Sequence, residues 1–451
     1  MSLILHDSDM TNGKCLGYYN QSAGYMSAVD EFHKQVQDGT LKVVCLQSYN
    51  PRTDIEYPVW YEVKSYDEKR GYQIVDNCLF YSSHYIGRFS YKGYSIIINP
   101  RFGKIFSYLI SYATNLYLPL GNSELSYNTK SNAYWLIALL WKALLNRALT
   151  TGQIPKGYKV IRKNQNHFRG HLCISKHIHT NMADASRFYC EYKKLSMDNV
   201  INRTVRTVYS ILKSKGVAAI VGEFEAYDKF LESMGVMDCL NGEQEIENVR
   251  YTRLTESYKP VMELSKTILS NNRAESKGQS GKMSEVSYFI DIAELWEMYL
   301  LKLLQNNLPS EYLVYSPNIN SNEHLLEGNM REIRPDIIIE RDGRVVMIID
   351  AKYNNYSQFG RTSQYGVQRD DLYQMTTYLY HYGKENQTIM GVFTSPVACS
   401  ENDIHTFSGN RNHRIGLVNL NIESAEDDLE RLHESEAEYI STITDLLKTT
   451  C

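Results

Sequence analysis

Three charged residues in the last third of the chain have the types and spacing that metal-assisted phosphodiester hydrolysis requires. Arg334-Pro335-Asp336-Ile-Ile-Ile-Glu340 sets an acid at the head of an apolar run, and Val345-Val-Met-Ile-Ile-Asp350-Ala-Lys352 ends a second run on acid, small residue, lysine. That chemistry needs carboxylates converging on a hard cation such as Mg²⁺, with a positive side chain near the attacking water and the scissile phosphate. Asp336 and Asp350 are the candidate ligands and Lys352 the candidate cation. The plainer alternative is that all three are solvated strand ends, but Asp-x-Lys closing an apolar strand beside a partner opened by Pro-Asp favours the chemical reading.

The elements must place these side chains on one face. Along a strand side chains alternate, so Asp350 and Lys352 point the same way if extension continues past Asp350. Asp336 depends on the turn at Arg341-Asp342-Gly343-Arg344. A two-residue Asp342-Gly343 loop puts Asp336 opposite Asp350, whereas a three-residue loop with Gly343 in the left-handed region aligns them. The three-residue loop is the expectation, and a bulge would serve equally well.

Two helices flank the pair. In Ile292–Leu304, the residues Ile292, Trp296, Tyr299, Leu300 and Leu303 form one apolar stripe. Glu297 falls at its edge and is the better candidate for a further acid at the metal, while Glu294, on the far face, reads as solvated. Downstream, Gln374 and Tyr378 stand four apart on a predicted helix and share a face. They suit positioning of a DNA phosphate or of the metal's water shell, or equally a surface Gln and a half-buried Tyr.

The remainder of the 451 residues suggests two or three domains. From Lys42 to Arg101 short β-branched and aromatic stretches alternate with polar turns, which predicts a β-rich domain over residues 1–120. Helical periodicity at Ala133–Ala148, Val200–Leu212 and Val261–Leu269 predicts a mainly helical region over 121–283, closing in a polar linker from Ser270 to Lys282. An α/β domain with a mixed central sheet then covers 284–451. The fold class is thus multidomain α+β.

Net charge is −4 overall, yet residues 141–215 hold fifteen Lys/Arg against three acids. Such a region attracts a phosphate backbone without regard to sequence, or is a solvated face, or meets a partner or the acidic stretch Glu423–Glu438. Lys163, Arg169 and Arg203 are its candidate DNA contacts, with a structural role for Arg169 weighed equally. The Ser270–Lys282 stretch fails the GxxxxGK[ST] phosphate-binding pattern, because Ser276 stands where the first glycine belongs and Met283 follows Lys282. The eight cysteines show neither a zinc-ligand spacing nor a disulfide framework. No secretory leader or membrane-length apolar run appears, so the expected location is cytoplasmic, with no membrane partner.

The order Glu297, Pro335-Asp336, Asp350-Ala-Lys352, Gln374-x3-Tyr378 resembles the RecB-like branch of the PD-(D/E)xK nucleases, and more narrowly the McrC family. The narrower resemblance rests on Phe289–Glu297, Asp350-Ala-Lys-Tyr353 and Asp371-Leu-Tyr-Gln-Met375. Upstream it takes in Phe168-Arg169-Gly170-His171-Leu172, Cys190-Glu-Tyr192, Asn202-Arg203, Ile86-Gly87 and Ile98-Asn-Pro100-Arg101. The chain departs from the family at Arg101, often Lys there, and at His171, where Arg is usual; Arg and Lys are not interchangeable at a shaped contact.

The resemblance implies the nuclease subunit of a modification-dependent restriction system, using Mg²⁺ or Mn²⁺. Its partners would be DNA and a separate McrB-like AAA+ GTPase, with assembly on the GTPase ring or as a homodimer. It also implies that the N-terminal β-rich part docks on the motor while the C-terminal part cuts. A non-enzymatic activator of the ring and a stand-alone RecB-like repair nuclease are the alternatives.

Overall fold

The computed structural model of the chain describes residues 2–7, 14–16, 19–38, 43–44, 58–64, 77–102, 105–114, 132–239, 242–276, 288–317, 324–326, 330–353, 356, 366–383, 388–398, 403–407, 412–425 and 428–449. It divides into two units, Met1–Gly121 with Ser287–Cys451, and Asn122–Val286. The first and last of the three expected parts fall in one of these units.

The N-terminal part runs β1 (Ser2–His6), β2 (Lys14–Leu16), α1 (Tyr19–Gln37), β3 (Val43–Val44), β4 (Val59–Lys64), β5 (Asn77–Ser82), β6 (Tyr85–Tyr91), β7 (Tyr94–Asn99) and α2 (Ile105–Thr114). It is β-rich, with two helices, α1 and α2, that the sequence reading did not identify. In α1, Tyr25, Ala28, Val29 and Phe32 recur at helical spacing and bury against Leu3, Leu5, Phe89 and Ile96. Strand β1 pairs in parallel with β7, and β7 is antiparallel to β6.

The second unit holds α3 (Asn132–Thr151), β8 (Gly157–Gln165), β9 (His171–Leu172), α4 (Ile174–Asn181), β10 (Phe188–Ser196), α5 (Val200–Ser214), α6 (Ala218–Val221), α7 (Glu225–Ser233), α8 (Gly242–Glu247) and α9 (Lys259–Ser276). The expected helices are present, and Asn199 caps α5 by accepting the Asn202 N–H at 3.1 Å. The helical reading needs correction in two places. Much of the basic stretch forms a three-stranded antiparallel sheet, ordered β8-β10-β9. Strand β8 exposes Lys159, Val160, Arg162 and Lys163 in near succession, so no apolar alternation announces it. In addition, residues 270–276 of the expected linker close helix α9, while the rest of it, with the near-miss phosphate motif, lies outside the described residues.

The chain re-enters the first unit with β11 (Tyr288–Asp291), α10 (Ile292–Asn307), β12 (Tyr312–Tyr315), β13 (His324–Leu326), β14 (Met330–Glu332), β15 (Ile337–Arg341), β16 (Arg344–Ala351), α11 (Arg369–Tyr382), β17 (Met390–Thr394), β18 (Asp403–Thr406), β19 (Arg414–Leu417) and α12 (Leu429–Thr449). Strand β11 joins the N-terminal sheet, antiparallel to β6 and parallel to β3, in the order β1-β7-β6-β11-β3. This pairing unites the two ends of the chain. The C-terminal sheet is mixed, as expected, and ordered β12-β15-β16-β17-β19-β18, with β16, β17 and β19 mutually parallel. Ile338, Ile348 and Phe393 bury against Met375 and Leu379 of α11. Among the described residues no helix is long and apolar enough to cross a membrane, and Cys78, Cys173, Cys190 and Cys239 are free thiols.

The turn between β15 and β16 corrects one expectation and meets its alternative. Arg341 pairs with Arg344, so the loop has two residues, Asp342 (φ 53°) and Gly343 (φ 72°), both left-handed as a type I′ hairpin requires. Taken alone this would set Asp336 on the wrong face. The register then shifts between Ile339 and Glu340, since Ile339 pairs with Met347 but Glu340 with Val345. The extra residue restores Ile337 opposite Ile349, which makes Asp336 and Asp350 the next rung.

Candidate active site

Asp336 stands just before β15 and Asp350 near the end of β16, and the bulged register brings them side by side. Asp336 Oδ2 accepts the Ala351 N–H at 2.7 Å. Asp350 is buried and Asp336 half-buried. Burial, then the charges of Glu297 and Asp350, push the Asp336 carboxyl well above the usual carboxylate range, against the Ala351 hydrogen bond. Glu297 of α10 therefore belongs to the same group, as its place at the edge of the apolar stripe predicted. Glu294 does not conform to the reading. It is fully buried rather than solvated, because α10 packs between α2 and strands β6, β12 and β16 and has no open far face.

Lys352 follows β16 and stays in line with it, its N–H donating to Thr394 O at 2.9 Å. Its Nζ lies 3.0 Å from Asp350 Oδ2 and 3.0 Å from Asp371 Oδ1. Burial alone would depress the ammonium, but the Asp350 and Asp371 carboxylates outweigh it and push its pKa up. Sequence reasoning missed Asp371 as a site residue. It also accepts a hydrogen bond from the Tyr356 hydroxyl, and its signal was its place three residues before Gln374 on the same helix.

Gln374 and Tyr378 share a face of α11 as their spacing predicted. Gln374 Nε2 donates to the Tyr378 hydroxyl at 2.7 Å, and that hydroxyl donates to Arg334 O at 3.0 Å. Tyr378 is buried and thereby ties α11 to the Pro335-Asp336 turn, while Gln374 is exposed beside it.

The donor set suits a hard divalent cation. Asp336 and Asp350 stand on neighbouring strands, Glu297 bears on Asp336 electrostatically, and Asp350 Oδ2 is buried without an aligned hydrogen bond although Lys352 Nζ is near. Among the described residues no three His, Cys, Asp or Glu side chains already converge as a metal-holding group, so a shared cation requires these carboxylates to close in.

In the second unit the three candidate DNA contacts differ. Lys163 is exposed on β8. Arg169 lies over the Tyr192 ring, 4.3 Å from its centroid, beside Gly170, whose φ of 72° and close approach to Glu191 O admit no side chain. Arg203 is engaged with Asp198 through two hydrogen bonds of 2.6 and 2.7 Å. Several other cations are also neutralised, including Lys142 by Glu223, Arg162 by Glu191 and Arg206 by Asp228. The field of the basic region is accordingly weaker than its residue count.

Comparisons with known proteins bear on this arrangement. The model of a family described as McrBC 5-methylcytosine restriction system component matches residues 81–393, which span every candidate site residue named above. No curated protein matches the chain. Among solved structures, a chain of the refined half-complex from the tetradecameric assembly of Thermococcus gammatolerans McrB AAA+ hexamers with bound McrC is similar over 98% of this chain and 100% of its own, at 17% identity and a TM-score of 0.52. A chain of the cryo-EM structure of the Thermococcus gammatolerans McrBC complex is similar over 69% of this chain and 89% of its own, at 19% identity and a TM-score of 0.35. The first of these likenesses is one of fold. With 313 of its residues matched by the family model, and with the motifs that resemble McrC falling inside that match, the chain belongs to the McrBC 5-methylcytosine restriction system component family.

Proposed function

We propose that the chain is the nuclease subunit of its restriction system, a metal-dependent endodeoxyribonuclease of the PD-(D/E)xK type. The observation that carries this reading is the placing of Asp336 and Asp350 side by side on two strands, within the influence of Glu297 from a helix, with the Lys352 ammonium held between Asp350 and Asp371. Asp336 and Asp350, with Glu297, would hold Mg²⁺, or Mn²⁺ in its place. The ion when bound supplies Lewis acidity and a more acidic water. Lys352 presents a fixed positive charge where negative charge builds on the attacked phosphate. Asp371 and Asp350 orient that charge, and Gln374, held against Tyr378, lies exposed to meet a phosphate oxygen.

DNA and a McrB-like AAA+ GTPase are the proposed partners, the latter because the similar chain comes from an assembly of McrB hexamers with bound McrC. The test is cleavage of methylated and unmethylated plasmid with Mg²⁺, with and without GTP and the McrB-like protein. Cutting of the methylated plasmid that needs both the metal and the partner is the expected result. Cutting without added metal in EDTA would remove the mechanism, and cutting without the partner would favour a stand-alone nuclease.

Lys163 is the proposed phosphate contact in the second unit. Lys163→Ala should lower the slope of log affinity against log salt by about 0.9, equally on all DNA sequences. Arg203→Ala, by contrast, leaves Asp198 without its bidentate partner and should act first on the melting temperature of the unit. Equal salt slopes for wild type and Lys163→Ala would remove Lys163 from the interface.

A further inference from the structure

The candidate site is linked to the N-terminal sheet by a buried charge pair that the proposed chemistry does not use. Asp7 directly follows β1. Its N–H donates to Asn99 O at 2.9 Å, at the end of β7, and its Oδ1 accepts the Arg101 N–H. Its side chain is fully enclosed, with Arg101 Nε 3.9 Å from Oδ2. The Arg101 guanidinium in turn lies 4.4 Å from the centroid of the Tyr353 ring and 4.7 Å from that of Phe102, and donates to Tyr353 O at 3.1 Å.

Tyr353 is the residue after Lys352. The segment carrying the lysine is therefore fixed on both sides: Lys352 N–H is held by Thr394 O of β17, and the next carbonyl is held by Arg101. Enclosing an ion pair carries a desolvation cost, and an apolar side chain would fill the space between two aromatic rings without it. What an apolar residue could not do is serve a carboxylate, a carbonyl and two ring faces at once, which a planar guanidinium can. Burial pushes the Asp7 carboxyl up, with Arg101 opposing, so the pair depends on both members.

We propose, building on the nuclease reading above, that Arg101 is a positioning residue for Lys352. Through Tyr353 it fixes the exit of the catalytic strand, so that the ammonium stays between Asp350 and Asp371. The N-terminal sheet thereby becomes part of the active-site scaffold as well as the segment expected to meet a partner.

Arg101→Ala strands the Asp7 charge and is liable to unfold the unit, so the deciding variant is Arg101→Lys, which keeps the charge but loses the planar stack and the reach to Tyr353 O. Two measurements on the full chain are paired. Hydrogen–deuterium exchange of the peptide covering residues 350–353 should quicken about tenfold while peptides from β1 and β7 stay as in wild type. Single-turnover cleavage, under the conditions that support wild-type cutting, should slow by about 10- to 100-fold, the scale of a misplaced catalytic group, with half-saturating DNA concentration unchanged within about twofold. Unchanged exchange overturns the proposal whatever the cleavage rate. Faster exchange with unchanged cleavage overturns it too, because the lysine would then tolerate the movement. Asp350→Ala, run in parallel, tests the nuclease reading separately: if it cuts as wild type does, the site assignment fails, and the positioning role fails with it while the exchange result still reports on the Arg101 clamp.

Discussion

Asp350→Ala is expected to cut plasmid at no more than about one-thousandth of the wild-type rate, the scale on which losing a pre-placed charge-stabilising group slows an enzyme. Two losses coincide in this variant. One is a buried carboxylate of the candidate cation site, and the other is one of the two acids that hold Lys352 Nζ at 3.0 Å. Lys352→Ala removes only the second function, and its loss should be smaller with Mn²⁺ than with Mg²⁺ if the ion can take over part of the charge neutralisation. The variant should keep the wild-type circular dichroism and its DNA affinity. Cleavage by Asp350→Ala within tenfold of wild type would show that the chemistry lies elsewhere.

The second expectation concerns stability and has the opposite sign to most active-site substitutions. Without divalent metal, Asp336→Asn should raise the melting temperature of the unit, on the order of 2–4 °C for each kcal/mol of repulsion relieved. The amide oxygen can still accept the Ala351 N–H, while the charge facing Glu297 and Asp350 is gone. The pH dependence follows from the raised pKa. Between the ordinary value of 3.8 and the higher folded value, the native state holds a proton that the unfolded state does not, so stability falls as pH rises through that window. Above the folded value the penalty on wild type is complete. The gap between the variant and wild type should therefore be widest at alkaline pH and close as pH falls towards 3.8. Added Mg²⁺ should narrow it from the other side by stabilising wild type alone. Melting curves in EDTA and in Mg²⁺ across that range measure both effects. A melting temperature that drops on Asp336→Asn in EDTA would mean that the carboxyl stabilises the apo site.

The candidate site was largely legible because its residues announce themselves by local pattern. An apolar strand that ends on Asp-x-Lys needs no tertiary knowledge to be noticed, and Glu297 was picked from helix periodicity. Geometry beyond the local pattern was harder to read. The Asp342-Gly343 pair signals a two-residue turn, and the expectation of a longer one arose from requiring Asp336 and Asp350 on one face. The protein meets that requirement with a bulge at Ile339/Glu340, which has no residue signature of its own.

Glu294 was misread because burial of a helix face depends on what packs there, and α2 lies some 180 residues earlier in the chain. Helix α1 is legible in the helical spacing of Tyr25, Ala28, Val29 and Phe32, which bury against the N-terminal sheet. Strand β8 was not legible, since it pairs with β10 through the backbone while showing charged side chains to solvent. Asp371 and Arg101 lie between these cases. Both stood within motifs that were noticed, but their roles come from contacts with Lys352 and Tyr353 that only the folded chain supplies.

The pairing of β11 with β6 and β3 has a consequence for biosynthesis. On the ribosome, β6 and β7 emerge with their partner strand still unmade, and roughly 190 further residues separate Asn99 from Asp291. At translation rates of about 5–20 residues per second that interval lasts on the order of 10–40 s. During it the hairpin presents an open edge of the kind that recruits other chains. The inserted unit of residues 122–286 emerges in that time and is the cause of the delay. Expression of residues 1–120 alone would make the open edge permanent, and the fragment should be recovered as aggregate unless the strand Tyr288–Asp291 is grafted back.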